Sequence, residues 1–493
     1  MAKITVDGVE HEAKEGRTIL QALDDLGLLM NGVDVPHYCW HPKLSIDGSC
    51  RLCQVEIEGV PKLQIACNTP IKDGMEIRTR TDAVREAREG VMELLLVNHP
   101  LDCPICDQAG ECKLQDYAFE YGIQHSRTRE PRRAAKKKVD LGPTIVFDQE
   151  RCILCRRCVR FCREVPQTGE IGVFGRGDRS KIETFPGLEL DNPYSMNVAD
   201  ICPVGALTTK DFRFKIRVWF LEDVPGVCTG CAKGCNVWLG TANNKVYRYV
   251  PRRNDAVNET WICDDGRMSY REIGSPDRLD RALVRGELGV LEVTSVEQAI
   301  ARSAERLRAL ADAKGPGVIG AIASGHGTNE DLAAFVALLD GLGVENRGLA
   351  TLEGAADDLL VQSEKAANGE GARRLGFGDA TAVLDRLKGG GLEAMIVMGH
   401  DLVDARQLGG IEAFERLDTL IVLDTHHSAL ERVAHVVLPA RHAAEKAGHF
   451  TNHDGLVQSL RPAVEPRGAA VAEAEAFDRI AAALGLGAGQ GAA

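Results

Sequence analysis

Cysteine is absent from the last part of this sequence. All sixteen cysteines lie between Cys39 and Cys263, and none follows in the rest of the 493-residue chain. A disulfide framework is typical of small secreted chains, whereas here C-x2-C pairs recur inside one stretch of a long chain. The pattern therefore favours metal or iron–sulfur sites over disulfides.

Long apolar runs and excess positive charge are also missing. The longest apolar runs, near 91–97 and 318–323, fall far short of the ~20 residues that span a bilayer. The N-terminal sequence MAKITVDGVEHEAKEG lacks the apolar core of a signal peptide. A net charge of −13 argues against nonspecific nucleic-acid binding. We expect a cytoplasmic protein.

Residues 1–80 read as a small mixed domain that contains the first cysteine group. Strand patterns at 3–6 and 10–12 flank the turn signal Asp7-Gly8, and Thr18 can cap a short helix. The group is spaced C-x10-C-x2-C-x13-C and consists of Cys39, Cys50, Cys53 and Cys67. Plant-type [2Fe–2S] sites share the central C-x2-C but have a shorter first gap, so zinc stays open on spacing alone.

Residues 81–98 have the pattern of an amphipathic helix that leads to the second group. Thr81 or Asp82 caps this helix, and its buried stripe is predicted to include Val84, Val91 and Leu94. The group is spaced H-x3-C-x2-C-x5-C and consists of His99, Cys103, Cys106 and Cys112. Three cysteines cannot complete a four-ligand site, so His99 is the predicted fourth ligand, and a structural zinc site is the alternative.

Residues 127–138, RTREPRRAAKKK, are strongly basic. We interpret them as a solvated linker, with a docking strip for an acidic partner as the alternative.

The third group follows the C-x2-C-x2-C-x3-C run of bacterial ferredoxins, whose fourth cysteine serves a second cluster. Cys202-Pro203 resembles the end of a second such run, but that run's three other positions are Asn192, Ser195 and Val198. One [4Fe–4S] cluster is therefore predicted here, and Cys162 is predicted to be a small apolar filler. The predicted ligands are Cys152, Cys155, Cys158 and Cys202.

The fourth group is spaced C-x2-C-x3-C-x27-C and consists of Cys228, Cys231, Cys235 and Cys263. Gly226, Gly230 and Gly234 interleave with it, which lets backbone amides approach the sulfurs. A zinc ribbon is the alternative.

Residues 276–493 change character and read as an α/β domain with a mostly parallel sheet. Apolar strand patterns lie at 317–323, 392–398, 419–424 and 433–438, and a helix is predicted from Thr328. The preceding SGHGTNE lacks the third glycine of a dinucleotide-binding loop, so it is weak evidence for a nucleotide.

Taken together, the four groups resemble the large iron–sulfur subunit of bacterial respiratory NADH:quinone oxidoreductase, complex I. The resemblance rests on PHYCWHPKLSIDGSCRLCQVEIEG, NHPLDCPICDQAGECKLQDYAFEYG, CILCRRCVRFCREV, ADICPVGALTTK and CTGCAKGC. SPDRLDRALVR, SGHGTNEDLAAF and AEKAGHFTNHDGLVQ are similar to segments of molybdopterin oxidoreductases. This sequence is a few hundred residues shorter than full-length members of that superfamily.

The resemblance implies a multidomain chain of α+β and α/β parts, with all sixteen residues of the four groups as cluster ligands. Residues 1–80 would be a β-grasp [2Fe–2S] ferredoxin domain, and 81–140 a one-histidine, three-cysteine [4Fe–4S] segment with the basic linker. Residues 141–215 would be a ferredoxin-like [4Fe–4S] domain and 216–275 a small [4Fe–4S] domain. Residues 276–493 would be a reduced molybdopterin-oxidoreductase-like domain without molybdenum.

The function implied is an electron relay, with no substrate site of its own. Electrons would come from the NADH- and FMN-binding subunit and leave toward quinone through other subunits of the peripheral arm. The chain would lie on the cytoplasmic face of the cell membrane, and it would contact the membrane only through that complex. It would bind no nucleic acid. An iron–sulfur subunit of an NAD-linked formate dehydrogenase or of a hydrogenase is the alternative.

Overall fold

The computed structural model of the chain describes residues 1–29, 33–123, 125–399 and 411–486. The chain forms two compact units, Met1–Leu221 and Glu222–Ala493. Each unit has buried apolar clusters of its own.

The first unit combines short strands with short helices. Its strands are β1 (Ala2–Val6), β2 (Val9–Ala13), β3 (Gln54–Ile57), β4 (Gln64–Ile65), β5 (Met75–Arg78), β6 (Val139–Asp140), β7 (Ile145–Phe147), β8 (Ile171–Phe174), β9 (Lys181–Thr184) and β10 (Leu207–Thr209). Its helices are α1 (Ile19–Asp25), α2 (Asp82–Leu96), α3 (Lys113–Tyr121), α4 (Arg157–Glu164) and α5 (Asn197–Asp200).

A mixed sheet in the order β2-β1-β5-β3-β4 begins the first unit. β1 and β2 form the predicted hairpin around Asp7 and Gly8, and β1 pairs with β5 in parallel. α1 begins after Thr18, whose side chain accepts a hydrogen bond from the backbone N–H of Gln21, so the predicted cap is confirmed. The buried face of α1 packs on this sheet in one core with Cys53 and Cys67.

The buried stripe of α2 differs in part from the prediction. Val84, Arg88 and Met92 are buried, whereas Leu94 is 76% exposed. Arg88 reaches the core because its guanidinium donates to Tyr121 Oη at 3.0 Å and to the Gln54 carbonyl at 3.2 Å. Leu94 lies about 200° around the helix from Met92, so it faces away from that stripe.

Two smaller sheets complete the first unit within its described residues. The strand order of one is β10-β7-β6, and β8 pairs with β9 in the other. α4 packs against β8 and α5 against β10. Cys158 lies on α4, and Cys202 lies in the chain between α5 and β10.

The second unit is larger. Its strands are β11 (Glu222–Val227), β12 (Asn236–Ala242), β13 (Lys245–Pro251), β14 (Ala282–Arg285), β15 (Leu291–Thr294), β16 (Ile319–Ser324), β17 (Asn346–Ala350), β18 (Gly378–Asp379), β19 (Ala394–Met398), β20 (Thr419–Asp424), β21 (Val436–Pro439), β22 (Gly448–Thr451) and β23 (Val457–Leu460). Its helices are α6 (Asp264–Met268), α7 (Tyr270–Ile273), α8 (Val296–Lys314), α9 (Asn329–Leu342), α10 (Gly369–Arg374), α11 (Thr381–Lys388) and α12 (Glu473–Ala483).

The main sheet of the second unit has the strand order β15-β14-β21-β20-β19-β16-β17-β18 over the described ranges. The six strands from β21 to β18 are parallel, and the β14–β15 hairpin is antiparallel at one edge. One apolar cluster includes residues of α8, α9 and α12, and another includes residues of α11. The mostly parallel α/β sheet is thus confirmed, as is the predicted helix from Thr328, which is α9 with Thr328 as its N-cap.

A buried ionic triad links α9 and α12 in the second unit. Lys446 Nζ lies 2.7 Å from Asp331 Oδ2 and 2.6 Å from Glu473 Oε2. Burial raises the pKa of Glu473 to about 7, and the neighbouring Asp331 carboxylate adds to this. Two carboxylates therefore share one ammonium, and Glu473 is the one that ionises less readily.

Glu473→Gln is expected to change how stability depends on pH. With its pKa raised in the fold, Glu473 binds more protons folded than unfolded between about pH 4.5 and 7. Its contribution is therefore fully present below about pH 4.5 and is lost as pH rises through about 7. Thermal melting of both proteins between pH 5.5 and 8 should show a decline in the native protein that the variant lacks. Parallel curves would contradict the assignment.

Candidate metal centres

The first cysteine group forms a chain of interacting thiols at one end of the mixed sheet. Cys53 directly precedes β3, and Cys67 follows β4. Hydrogen bonds to Cys50 and then Cys67 lower the pKa of Cys39, and the bond to Cys67 lowers the pKa of Cys53. The same bonds raise the pKa values of Cys50 and Cys67. Four thiols that are close enough to share protons through hydrogen bonds fit the ligand set of a thiolate-bound [2Fe–2S] cluster.

The third group surrounds a small cavity that is partly open to solvent. All four predicted ligands line it, namely Cys152, Cys155, Cys158 and Cys202. Leu154 and Arg156 have positive φ angles of 53° and 59°, which bend the loop around the cavity. Burial raises the pKa of the Cys202 thiol to about 12, so iron binding at this site releases a proton. Four thiols around one cavity fit the ligand set of a [4Fe–4S] cluster.

Cys162 is buried on α4 and is not among the residues that line this cavity. Burial and the neighbouring Glu170 raise its thiol pKa. Asn192 donates to Glu170 Oε1 at 2.8 Å, and Val198 is fully buried. Hydrogen bonds and apolar packing thus occupy positions that are cysteines in a second ferredoxin run.

Cys162→Ser should leave the iron content and the low-temperature EPR spectrum of the protein unchanged, because the thiol lies outside the cavity. Cys158→Ser, on the same helix but lining the cavity, is the matched control and should lose one cluster signal. Loss of a signal in the Cys162 variant would indicate that Cys162 is a ligand, and the assignment of Cys202 as a ligand would then be wrong.

The second group lies on a short turn at the start of α3. Cys103 is exposed, whereas Cys106 and Cys112 are buried. The Cys112 thiol lies 3.9 Å from the Pro203 carbonyl, and a Cβ on Gly205 would stand 2.3 Å from Cys106 Sγ. The Pro203–Gly205 loop that follows Cys202 therefore lies against two thiols of this group, those of Cys106 and Cys112.

His99 is half-buried and lies near Arg151. Burial, followed by the Arg151 guanidinium, lowers the pKa of His99 to about 4, so the imidazole is neutral at pH 7. Neutral imidazole is the form that binds metal. Arg151 also acts electrostatically on Cys106, so the imidazole and this thiol lie near the same cation.

The fourth group joins three elements of the second unit. Cys228 follows β11, Cys235 precedes β12, and Cys263 caps α6. A Cβ on Gly266 would stand 3.0 Å from Cys228 Sγ and 3.1 Å from Cys263 Sγ, so this glycine leaves the sulfurs room. Its N–H also donates to Cys263 Sγ at 3.3 Å.

The predicted role of the interleaved glycines is confirmed at one position. The Gly230 N–H donates to Cys228 Sγ at 3.5 Å. Gly226 instead packs against Leu239, and Gly234 lies against Gln458. The sequence gives no signal for Gly266, because it lies outside the cysteine spacing.

Two charged residues beside the ligands also escape sequence reasoning. Arg151 precedes Cys152 and Asp102 precedes Cys103, and their side chains form an ion pair at 3.1 Å. Arg151 is almost fully buried and also contacts Asp148 at 3.3 Å. Their sequence feature is that each is a charged residue directly before a predicted ligand, and that feature alone does not predict the ion pair.

Two absences hold for residues 1–29, 33–123, 125–399 and 411–486, the part of the chain that the structure describes. No group of three or more His, Cys, Asp or Glu side chains there is arranged to hold a single metal ion. No helix in those ranges is long and apolar enough to cross a membrane.

Family models match most of the chain in the order that the cysteine groups predict. "2Fe-2S iron-sulfur cluster binding domain" covers 1–82, and "NADH-ubiquinone oxidoreductase-G iron-sulfur binding region" covers 88–127. "NADH-quinone oxidoreductase subunit 3, ferredoxin-like domain" covers 142–208, and "NADH-ubiquinone oxidoreductase NDSU1/NuoG-like, 4Fe-4S domain" covers 224–271. "Molybdopterin oxidoreductase" covers 360–483. The chain is therefore an iron–sulfur protein with a molybdopterin-oxidoreductase-like domain, which confirms the predicted fold class.

Curated relatives define the family more closely. The G-type subunit of NADH-quinone oxidoreductase from Rickettsia conorii is 41% identical over 346 residues, which is 70% of this chain and 50% of the relative. "NADH dehydrogenase [ubiquinone] iron-sulfur protein 1, mitochondrial" of Solanum tuberosum is 40% identical over 344 residues, 70% of this chain and 45% of the relative. The chain belongs to this family of G-type subunits of NADH-quinone oxidoreductase. It spans about half the length of the curated relatives it matches.

A solved chain titled "Crystal structure of NAD+-reducing [NiFe]-hydrogenase in the H2-reduced state" is 27% identical and covers 44% of this chain and 91% of its own. The TM-score is 0.38, which is too low to support an argument about fold or function.

Proposed function

We propose that this chain is an electron-relay subunit of the peripheral arm of NADH:quinone oxidoreductase. In this role it passes electrons from the NADH- and FMN-binding subunit toward quinone, and it has no substrate site of its own. The names of its relatives support the assignment to this class of complex. Its place on the cytoplasmic face of the membrane, through the complex, stays a prediction.

The observation that carries the proposal is the proximity of three ligand groups in the first unit. The Cys39 thiol acts electrostatically on Cys155, so the first and third groups are neighbours. The loop after Cys202 touches Cys106, so the third and second groups are neighbours. A relay needs sites that are close together, because electron transfer between clusters is fast only over short distances.

We assign one [2Fe–2S] cluster to the first group and one [4Fe–4S] cluster to each of the others, and we propose all sixteen residues as their ligands. Each cluster, when bound, takes up and releases one electron. The chain's own residues hold the clusters, bury most of the thiolates and supply N–H donors such as that of Gly266. These features set reduction potentials. The five-segment domain division with boundaries at 80, 140, 215 and 275 is part of the same proposal.

We further propose that residues 276–493 bind no molybdenum and act as structural support. The superfamily usually binds molybdenum through cysteine or selenocysteine, and no cysteine follows Cys263. Stoichiometric molybdenum on the purified chain would contradict this proposal.

The function is tested on the intact assembly. Native mass spectrometry should identify an NADH- and FMN-binding subunit and other peripheral-arm subunits beside this chain. Rapid freezing after NADH addition should then show its clusters reduced by EPR before quinone is reduced. Hydrogenase or formate dehydrogenase subunits in the assembly would favour the alternative function, and clusters that stay oxidised during turnover would contradict the relay.

A further inference from the structure

One arginine of α4 contacts the chain beside ligands of two different groups. Arg157 lies between Cys155 and Cys158 in sequence. Its Nη1 donates to the Ile201 carbonyl at 3.2 Å, and its Nη2 donates to the Trp40 carbonyl. Trp40 follows Cys39, and Ile201 precedes Cys202. A single guanidinium therefore ties the first ligand group to the third.

The charge of Arg157 acts on thiols of both groups. Burial lowers its pKa, and Cys155 and Cys202 oppose this effect, followed by Cys39 and Cys50. Two ligands from each group therefore lie within electrostatic reach of one cation. Arg157 also lines the cavity of the third group.

This cation has no carboxylate partner among the residues that the structure describes. Both of its hydrogen bonds go to neutral carbonyls, and its Nε atom is buried without a partner in the described ranges. A buried charge is unfavourable unless an opposite charge compensates it. Clusters bound by four thiolates are anionic, so they are the compensating charge that this position fits.

We propose that Arg157 is a positioning residue shared by the first and third sites, which holds their loops together and favours the reduced state of both clusters. This inference rests on the ligand assignments of the proposed function. Reduction adds one electron to a cluster that is already anionic, and a nearby cation stabilises the more negative state. Because the same charge acts on both sites, their potentials should move together.

The test compares three variants of the full chain in its assembled complex by EPR-monitored redox titration. Arg157→Gln removes the charge, and Arg157→Lys keeps it without the forked pair of donors. Arg163→Gln is the matched control, because Arg163 lies on the same helix with a side chain that is 69% exposed and paired with Glu164 at 3.7 Å. Iron content is measured for every sample.

In the Gln variant we expect both midpoint potentials to fall. The equilibrium constant for reduction should drop about tenfold at each site, which corresponds to about 59 mV for one electron. The Lys variant should recover most of the shift, and the control should match the native protein. Unchanged midpoints in an iron-replete Gln variant would overturn the proposal, as would a shift at only one site.

If the Gln variant loses its clusters, the Lys variant decides. Near-native potentials with a lowered melting temperature would support the charge role, and a fall of about tenfold in the reduction equilibrium constant at both sites would overturn it. Absence of a [2Fe–2S] signal in the native protein would instead refute the ligand assignments, and the proposal with them.

Discussion

Replacing His99 by alanine is expected to remove one [4Fe–4S] cluster while the other three remain. The reason is the donor count proposed for the second group, where Cys103, Cys106 and Cys112 would provide three of the four ligands that a [4Fe–4S] cluster needs. The imidazole is neutral at pH 7, because burial lowers its pKa to about 4, and it is therefore ready to coordinate. The alanine variant should lose about four irons per chain.

His99→Cys gives the complementary result. Thiolate adds one negative charge where imidazole adds none, so the cluster should form but take up an electron less readily. Histidine in place of cysteine raises the potential in Rieske centres, which indicates the same direction. EPR-monitored titration should show a lowered midpoint.

His125→Ala is the matched control for the His99 variants, because His125 is an exposed histidine of the first unit. It should leave all cluster signals unchanged. Native spectra and midpoints in both His99 variants would make His99 structural and leave the fourth ligand unidentified.

Gly205→Ala is expected to disrupt the same cluster from the side of the neighbouring site. The added Cβ would stand 2.3 Å from Cys106 Sγ and 3.0 Å from the Gln108 Cβ, so the ligand must move. If the Cys106 thiolate is displaced, the second group should lose its irons. If the loop after Cys202 moves instead, the third group should lose its irons. Iron analysis and EPR of the purified variant measure both effects.

The matched control is Gly90→Ala. Gly90 is an exposed glycine inside α2, and a Cβ there meets nothing within 4 Å. Alanine at this position should keep every cluster and stabilise the helix by about 1 kcal/mol. A Gly205→Ala protein with native iron content and spectra would show that the contact with Cys106 does not constrain the site.

The grouping of the third set of cysteines around one cavity can be predicted, because the spacing that indicates it is a local pattern. Counting back from Cys202 through Val198, Ser195 and Asn192 assigns it to the earlier run, and it does line the cavity with three cysteines of that run. The cap at Thr18 and the helix start at Thr328 are also predictable, because both depend on a few adjacent residues.

The contacts between groups cannot be predicted, because they depend on tertiary packing. Arg157 reads as one basic residue in a basic helix, and only the fold brings its guanidinium to the Trp40 carbonyl. Gly205 gives no signal in a loop where glycine is ordinary. Leu94 belongs to the predicted stripe because it is apolar, but Arg88 fills that face through its hydrogen bonds.

The most direct test of the central claim is the metal and sulfide content of the chain after anaerobic purification or reconstitution. One [2Fe–2S] and three [4Fe–4S] clusters predict about fourteen irons per chain, with a matching amount of acid-labile sulfide and no zinc. A value near ten irons would remove one [4Fe–4S] site. Stoichiometric zinc bound by the cysteine groups would contradict the account that they carry electrons.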